Sequence, residues 1–194
     1  MVHASAASAK TLLRAQMRAI RAAAARNDLG AAQRAADNLP SALLGRFDTV
    51  AGYAPLNSEI DPLPLLTLLA QAGARLALPR TLAGQPLQFH LWQPGQTLVK
   101  SAFGVAEPEP TAPVCEPDLI VVPLLAFDRL GARMGYGQGH YDRTLANLRR
   151  RQKVVALGLA YDAQEVANLP LEDHDETLDG ILTEMRYIPV QRNP

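Results

Sequence analysis

Residues 127–145 read Phe-Asp-Arg-Leu-Gly-Ala-Arg-Met-Gly-Tyr-Gly-Gln-Gly-His-Tyr-Asp-Arg-Thr-Leu. Gly131, Gly135, Gly137 and Gly139 fall within nine residues of a 194-residue chain that holds 13 glycines in all. Glycine accepts positive φ and lets the main chain approach a ligand closely. An apolar run from Leu119 to Phe127 precedes the loop, and Leu145, Leu148 and Arg149 continue from Asp142 at helical spacing. Strand, glycine loop and helix is the order in which main-chain N–H groups and a helix N-terminus cradle phosphate. The loop lacks the Gly-Lys-Ser/Thr ending of a P-loop and the acidic partner of a dinucleotide fingerprint. A tight strand-to-helix connection with no ligand explains the glycines equally well. Arg133, Arg143 and Asp142 bring anion-binding and metal-binding chemistry into the same few residues.

Outward from this stretch the chain alternates strands and helices. On the N-terminal side, Phe47–Ala54 reads as a short buried strand and Pro55–Glu59 as a loop. Asp61 is placed to cap a helix that has Pro62 at its first position and ends at Gly73. Arg75–Pro79 is the next strand, which makes a right-handed β-α-β unit. Glu59 lies just past a strand's C-terminal end, where open α/β sheets place ligands. Leu87–Trp92 reads as an edge strand or hairpin arm, with Trp92 a core filler. Residues 104–117, which carry four prolines, read as an irregular surface connection. On the C-terminal side, Val154–Ala160 and Leu178–Thr183 are strands. Asp162 and Glu165 form the capping box of a short helix that ends near Pro170. Strands alternating with helices predict a single-domain three-layer α/β/α protein over residues 1–194, with a mostly parallel sheet.

Upstream of the sheet, residues 1–9 are expected to fray. A helix from Lys10 carries Leu13, Met17, Ile20 and Ala24 on one face, with Lys10, Arg14, Arg18 and Arg21 as a neighbouring basic stripe. Such a stripe is ordinarily a solvated helix face. A second helix covers Ala31–Leu39.

Composition bounds the function. Net charge is zero, which removes a global attraction to nucleic acid. Cys115 is the only cysteine, so the chain has no internal disulfide, and a cytoplasmic protein is expected. No apolar run approaches membrane-span length. Residues 1–26 carry five basic residues and no acid, whereas residues 162–184 carry eight acids and no Lys or Arg. Basic and acidic ends of this kind can bring a polyanion and a cation to one site.

The pattern Val122-Pro123, Ala126-Phe127-Asp128, Gly131, Arg133, Gly135-Tyr136-Gly137-Gln138-Gly139 and Tyr141-Asp142-Arg143 resembles the signature of the 5-formyltetrahydrofolate cyclo-ligase family. Lys10 with Arg14, Tyr53-Ala54-Pro55 with Glu59, Pro79-Arg80, Phe103-Gly104-Val105 with Glu107-Pro108, and His174-Asp175 before Thr183-Glu184 resemble further pieces in family order. The resemblance implies a fold like that of the sugar-phosphate isomerase and CoA-transferase class. It also implies a monomeric ligase that converts 5-formyltetrahydrofolate to 5,10-methenyltetrahydrofolate with ATP and Mg²⁺. Lys10, Arg14, Arg133, Met134, Gly135, Tyr136, Gly137, Gln138, Gly139, His140 and Tyr141 are then expected at the nucleotide. Arg133 is expected to stabilise the transferring charge. Ala54, Glu59 and Tyr136 to His140 are expected at the folate, and Asp142 and Asp175 at Mg²⁺. Gln138 stands where relatives often carry Gly or Lys, and the titratable ring of His140 where they carry Tyr or Phe. Other readings compatible with the residues are a non-catalytic folate- or nucleotide-binding protein, a phosphate-ester isomerase or transferase, and a nucleic-acid binder acting through the basic helix.

Overall fold

The computed structural model describes residues 6–101, 104–169 and 172–191, with side chains from residue 9 onward. Residues 1–5 of the segment expected to fray, Phe103, and the helix end expected at Pro170 lie outside the described residues. In chain order the elements are α1 (Ala6–Asn27), α2 (Ala31–Asp37), β1 (Thr49–Ala51), α3 (Leu63–Gln71), β2 (Arg75–Arg80) and β3 (Gln88–Leu91). Then come β4 (Val99–Lys100), β5 (Ala106–Glu107), β6 (Val114–Cys115), β7 (Leu119–Pro123), β8 (Ala126–Phe127) and β9 (Arg133–Met134). The chain ends with α4 (His140–Arg149), β10 (Val155–Leu159), β11 (Gly180–Leu182) and β12 (Tyr187–Pro189).

Eight strands form one sheet in the order β12-β11-β10-β7-β1-β2-β3-β6. The five central strands are parallel, and β12, β3 and β6 are antiparallel to their inner neighbours. Apolar side chains alternate across the sheet because the strand period is two. Val50, Leu119, Val121 and Leu157 face one side, where Ala35, Leu66 and Leu69 of α2 and α3 cover them. Ala51, Ile120, Val122 and Ala156 face the other, under Leu145 and Leu148 of α4. Both faces are therefore covered, which is why the central strands read as continuous apolar runs.

Several local expectations are corrected. The run Leu119–Phe127 is two strands, because the main chain breaks at Leu124 and Leu125. The buried side chain of Gln164 donates to both carbonyls, at 2.9 and 3.0 Å, and replaces the lost ladder bonds. Gln164 also accepts the Tyr161 N–H at 2.8 Å, so it fills the role expected of Glu165, and the helix shrinks to a 3₁₀ turn, Asp162–Gln164. Asp162 and Glu165 instead bind Arg186. The proline-rich connection supplies β5 and β6, and β6 covers β3, which is therefore not an edge. The N-cap of α3 is Pro62, not Asp61, which lies one residue earlier and accepts the Leu63 N–H at 2.9 Å. On α1 the buried stripe contains Arg21 in place of Ile20: Ile20 is exposed, whereas Met17 and Arg21 are buried.

Gly131 shows one glycine whose conformation is required. Its φ is +87°, and an added Cβ would lie 2.9 Å from the Leu178 carbonyl oxygen and 2.8 Å from Val190 Cγ1. The buried carboxylate of Asp128 ties this turn, accepting N–H bonds from Leu130, Ala132 and Leu169. Gly131→Ala is expected to destabilise the fold by about 3 kcal/mol, through positive-φ strain and overpacking against main chain. Urea denaturation checks this as a lowered midpoint at constant slope.

Candidate active site

Strand order reverses beside β1: the chain leaves β1 for β2 on one side, then returns to β7 on the other. The crevice outside the carboxyl ends of strands at such a reversal is where open α/β sheets bind ligands. Here it is a cleft of about 860 Å³, with Tyr53 and Ala54 following β1 and Pro123 ending β7 in its wall. All of the expected site residues, from Lys10 to Asp175, line this one cleft.

One wall is built for anions. The loop from Gly135 to Gly139 enters α4 through Gly139, whose φ is +63°. No side chain caps α4, so its first N–H groups and the positive end of its dipole are available to an anion. Arg14 of α1 lies against the loop: its Nε donates to the Gly135 carbonyl at 3.3 Å, and a Cβ on Gly137 would meet its Nη2 at 3.4 Å. Lys10, one turn earlier on α1, pairs with Glu172, and this ion pair holds the Glu172 carboxyl below its usual range.

Arg133 reaches the same wall from β9. Its guanidinium is buried and donates to Asp142 Oδ1 at 2.6 Å and to the Glu176 carbonyl. Burial lowers its pKa, and the Asp142 carboxylate opposes that shift. Asp142 Oδ1 also accepts the Glu176 N–H at 3.2 Å. Asp175 is brought to this place by the segment 172–179. Arg149 fastens that segment to α4 by bonding Glu176 at 2.5 Å, Asp179 at 2.8 Å and the Thr177 carbonyl at 2.8 Å. Thus Asp142 and Asp175 share the cleft, but Asp142 is engaged by Arg133. Among the described residues, the three acidic and imidazole side chains that lie within ligating reach of one another are Glu172, His174 and Asp175.

The same cleft is lined by Glu59. Its side chain is only 4% exposed. Oε2 accepts the Leu56 N–H at 2.8 Å, and Oε1 faces Arg21 Nη1 at 3.5 Å. Burial raises the Glu59 pKa, against the opposing pull of the Leu56 N–H and Arg21. Tyr136 lines it too: its hydroxyl accepts from Arg21 Nη2 at 2.6 Å, and Arg18 and Arg21 lie 5.5 and 5.6 Å from its ring centre. His140 sits at the start of α4, where burial and the Arg143 guanidinium both lower its pKa. Its Nδ1 lies 3.3 Å from Arg143 Nη2.

Sequence reasoning missed Arg21 and Arg149. Arg21 continues the Lys10-Arg14-Arg18 stripe at ordinary surface spacing, and Arg149 reads as a favourable cation at a helix C-terminus. Only their burial separates them from solvated side chains.

A glycine loop, the start of α4, two arginines and a buried carboxylate in one cleft, at the switch point of a mostly parallel sheet, define the site of an α/β enzyme. A family model described as the 5-formyltetrahydrofolate cyclo-ligase family matches residues 6–184. The chain belongs to that family and is a ligase. A 5-formyltetrahydrofolate cyclo-ligase from Mycolicibacterium smegmatis is 40% identical over 153 residues, covering 74% of this chain and 77% of the relative. One from Escherichia coli K12 is 36% identical over 141 residues, covering 70% and 77%. The NMR structure of Aquifex aeolicus 5,10-methenyltetrahydrofolate synthetase matches the fold with a TM-score of 0.76 at 27% identity, over 95% of this chain and 94% of that one. Among the described residues, no helix is long and apolar enough to cross a membrane.

Proposed function

We propose that the protein closes 5-formyltetrahydrofolate to 5,10-methenyltetrahydrofolate in an ATP- and Mg²⁺-dependent reaction that releases ADP and phosphate. The observation that carries this reading is the gathering, in one cleft, of Arg14, Arg133, the glycine loop and the buried carboxylate of Glu59. A formamide carbon is a poor electrophile and its oxygen a poor leaving group. Transfer of the γ-phosphoryl group to the formyl oxygen forms an O–P bond, breaks the bond to ADP, and draws the N5 lone pair into a C=N⁺ bond. N10 then attacks that carbon, the C–O bond breaks with phosphate leaving, and N10 loses its proton.

The residues divide this work. The main-chain N–H groups of Gly135 to Tyr141, with Lys10 and Arg14, hold the triphosphate. Arg133 meets the charge on the transferring group, where positioned cations act most strongly. Asp142 and Asp175 supply hard carboxylate oxygens of the kind Mg²⁺ takes, and the bound ion would neutralise phosphate charge. Asp142 Oδ1 is held by Arg133 and by the Glu176 N–H, which leaves Oδ2 without a partner among the described residues. Glu59 accepts N–H bonds from the pterin, and Ala54 with the ring of Tyr136 borders it.

The test is spectrophotometric: protein, MgATP and 5-formyltetrahydrofolate are expected to give the methenyl chromophore together with ADP. Folded protein that forms no chromophore, or forms it without ATP, sinks the reading. Within the same assay, Arg14→Ala is expected to raise KM for ATP about ten- to a hundredfold, the value of one charge-assisted hydrogen bond. An unchanged KM with altered stability alone would return Arg14 to the solvated surface of α1.

A further inference from the structure

We infer that Arg21 is a positioning residue for Glu59, its buried guanidinium setting both the direction and the charge state of the carboxylate on the folate side of the cleft. The inference rests on the reading of Glu59 as the acid that meets the pterin. Arg21 lies on the buried stripe of α1, where a hydrophobic residue would pack with Met17, yet its side chain is 3% exposed. A buried guanidinium is costly unless each donor is met. Here each of the three nitrogens has an acceptor: Nε donates to Ser58 Oγ at 3.1 Å, Nη2 to the Tyr136 hydroxyl at 2.6 Å, and Nη1 to the Leu124 carbonyl at 3.4 Å while facing Glu59 Oε1 at 3.5 Å.

The partners come from three places that must agree for the cleft to close: the loop after β1, the break after β7, and the glycine loop. A planar fork with fixed donors can hold all three, whereas an ammonium acts as a point charge. Among the described residues, the titratable groups that interact with Glu59 are Arg21 from α1, Tyr136 from the glycine loop and, through their charges, Tyr53 after β1 and Tyr141 from α4. Arg21 is the one cation among them, so without it a buried acid is left among three phenols. Burial already raises the Glu59 pKa and Arg21 opposes this, so removing Arg21 raises it further. The ionised form that accepts pterin N–H bonds is then lost at a higher pH as pH falls.

The experiment compares wild type, Arg21→Met and Arg21→Lys by two readouts. In the ligand-free protein, NMR of ¹³C-labelled glutamate is expected to show Glu59 titrating at higher pH in Arg21→Met than in wild type, with Arg21→Lys returning towards wild type. In turnover, both variants are expected to raise KM for 5-formyltetrahydrofolate about ten- to a hundredfold with KM for ATP unchanged. Only Arg21→Met moves the acid limb of kcat/KM for the folate upward. If Arg21→Met does not fold, Arg21→Gln, which keeps donors and loses the charge, carries the same comparison. Lowered thermal stability with the Glu59 titration and folate KM of wild type would overturn the proposal. Absence of chromophore in the wild type would overturn the functional reading instead, and the ligand-free titration would still decide the role of Arg21.

Discussion

Arg133→Met is expected to lower kcat at least about a thousandfold while leaving a folded protein that still binds ATP. Arginine groups aimed at a transferring phosphoryl group contribute about 10³ to 10⁵ in rate. Arg133 fits that role better than Arg14 because it is held more tightly. Its side chain is 6% exposed, and Asp142 and the Glu176 carbonyl fix its fork. A side chain fixed in this way needs little reorganisation as charge develops, which is the source of such effects. Methionine keeps much of the buried volume and removes the charge, so urea unfolding should report a smaller change than turnover does. Single-turnover rates with saturating MgATP separate the chemical step from binding. A kcat within about tenfold of wild type would move the charge-stabilising role elsewhere in the cleft.

Asp142→Asn is expected to cost about a hundredfold or more in turnover at limiting Mg²⁺, partly recovered at high Mg²⁺. The amide keeps the shape and one acceptor oxygen, so the Glu176 N–H bond can survive. The lost charge acts twice. It weakens a hard-cation site, and it leaves the buried Arg133 without the carboxylate 2.6 Å away. The variant is therefore expected to be less stable as well, but by less than its activity loss implies, because Asp142 remains partly open to solvent. A Mg²⁺ titration checks this: activity that matches wild type at limiting Mg²⁺ removes Asp142 from the metal site.

The sheet and the glycine loop that leads into α4 were legible in the sequence because they depend on short-range rules. Apolar runs in period two, a proline after an aspartate at the start of a helix, and glycines between a strand and a helix each fix local structure on their own terms. The collinear resemblance then gathered Lys10, Glu59, Arg133 and Asp175, all of which line the cleft. What escaped depends on the tertiary partner. The strand expected through Phe127 breaks because a distant glutamine amide bonds two of its carbonyls, and no window around Leu124 contains that amide. Arg21 was read with its stripe as solvated, since an arginine gives no local sign of the acid and the phenol that will cover it. Asp162 and Glu165 have the spacing of a capping box, yet Arg186 takes both. His140 entered as a titratable ring, and in the structure burial and Arg143 lower its pKa.

The ion pair between Lys10 and Glu172 joins residues 162 positions apart in the chain. That distance has a consequence for how the protein is made. At a synthesis rate of about 5 to 20 residues per second, α1 leaves the ribosome roughly ten to thirty seconds before its acidic partner is polymerised. Its 22 residues are rich in alanine, a strong helix former, but the partners of Leu13, Met17 and Arg21 are not yet made. The cleft is therefore complete only once the acidic segment has been made and reaches back to α1.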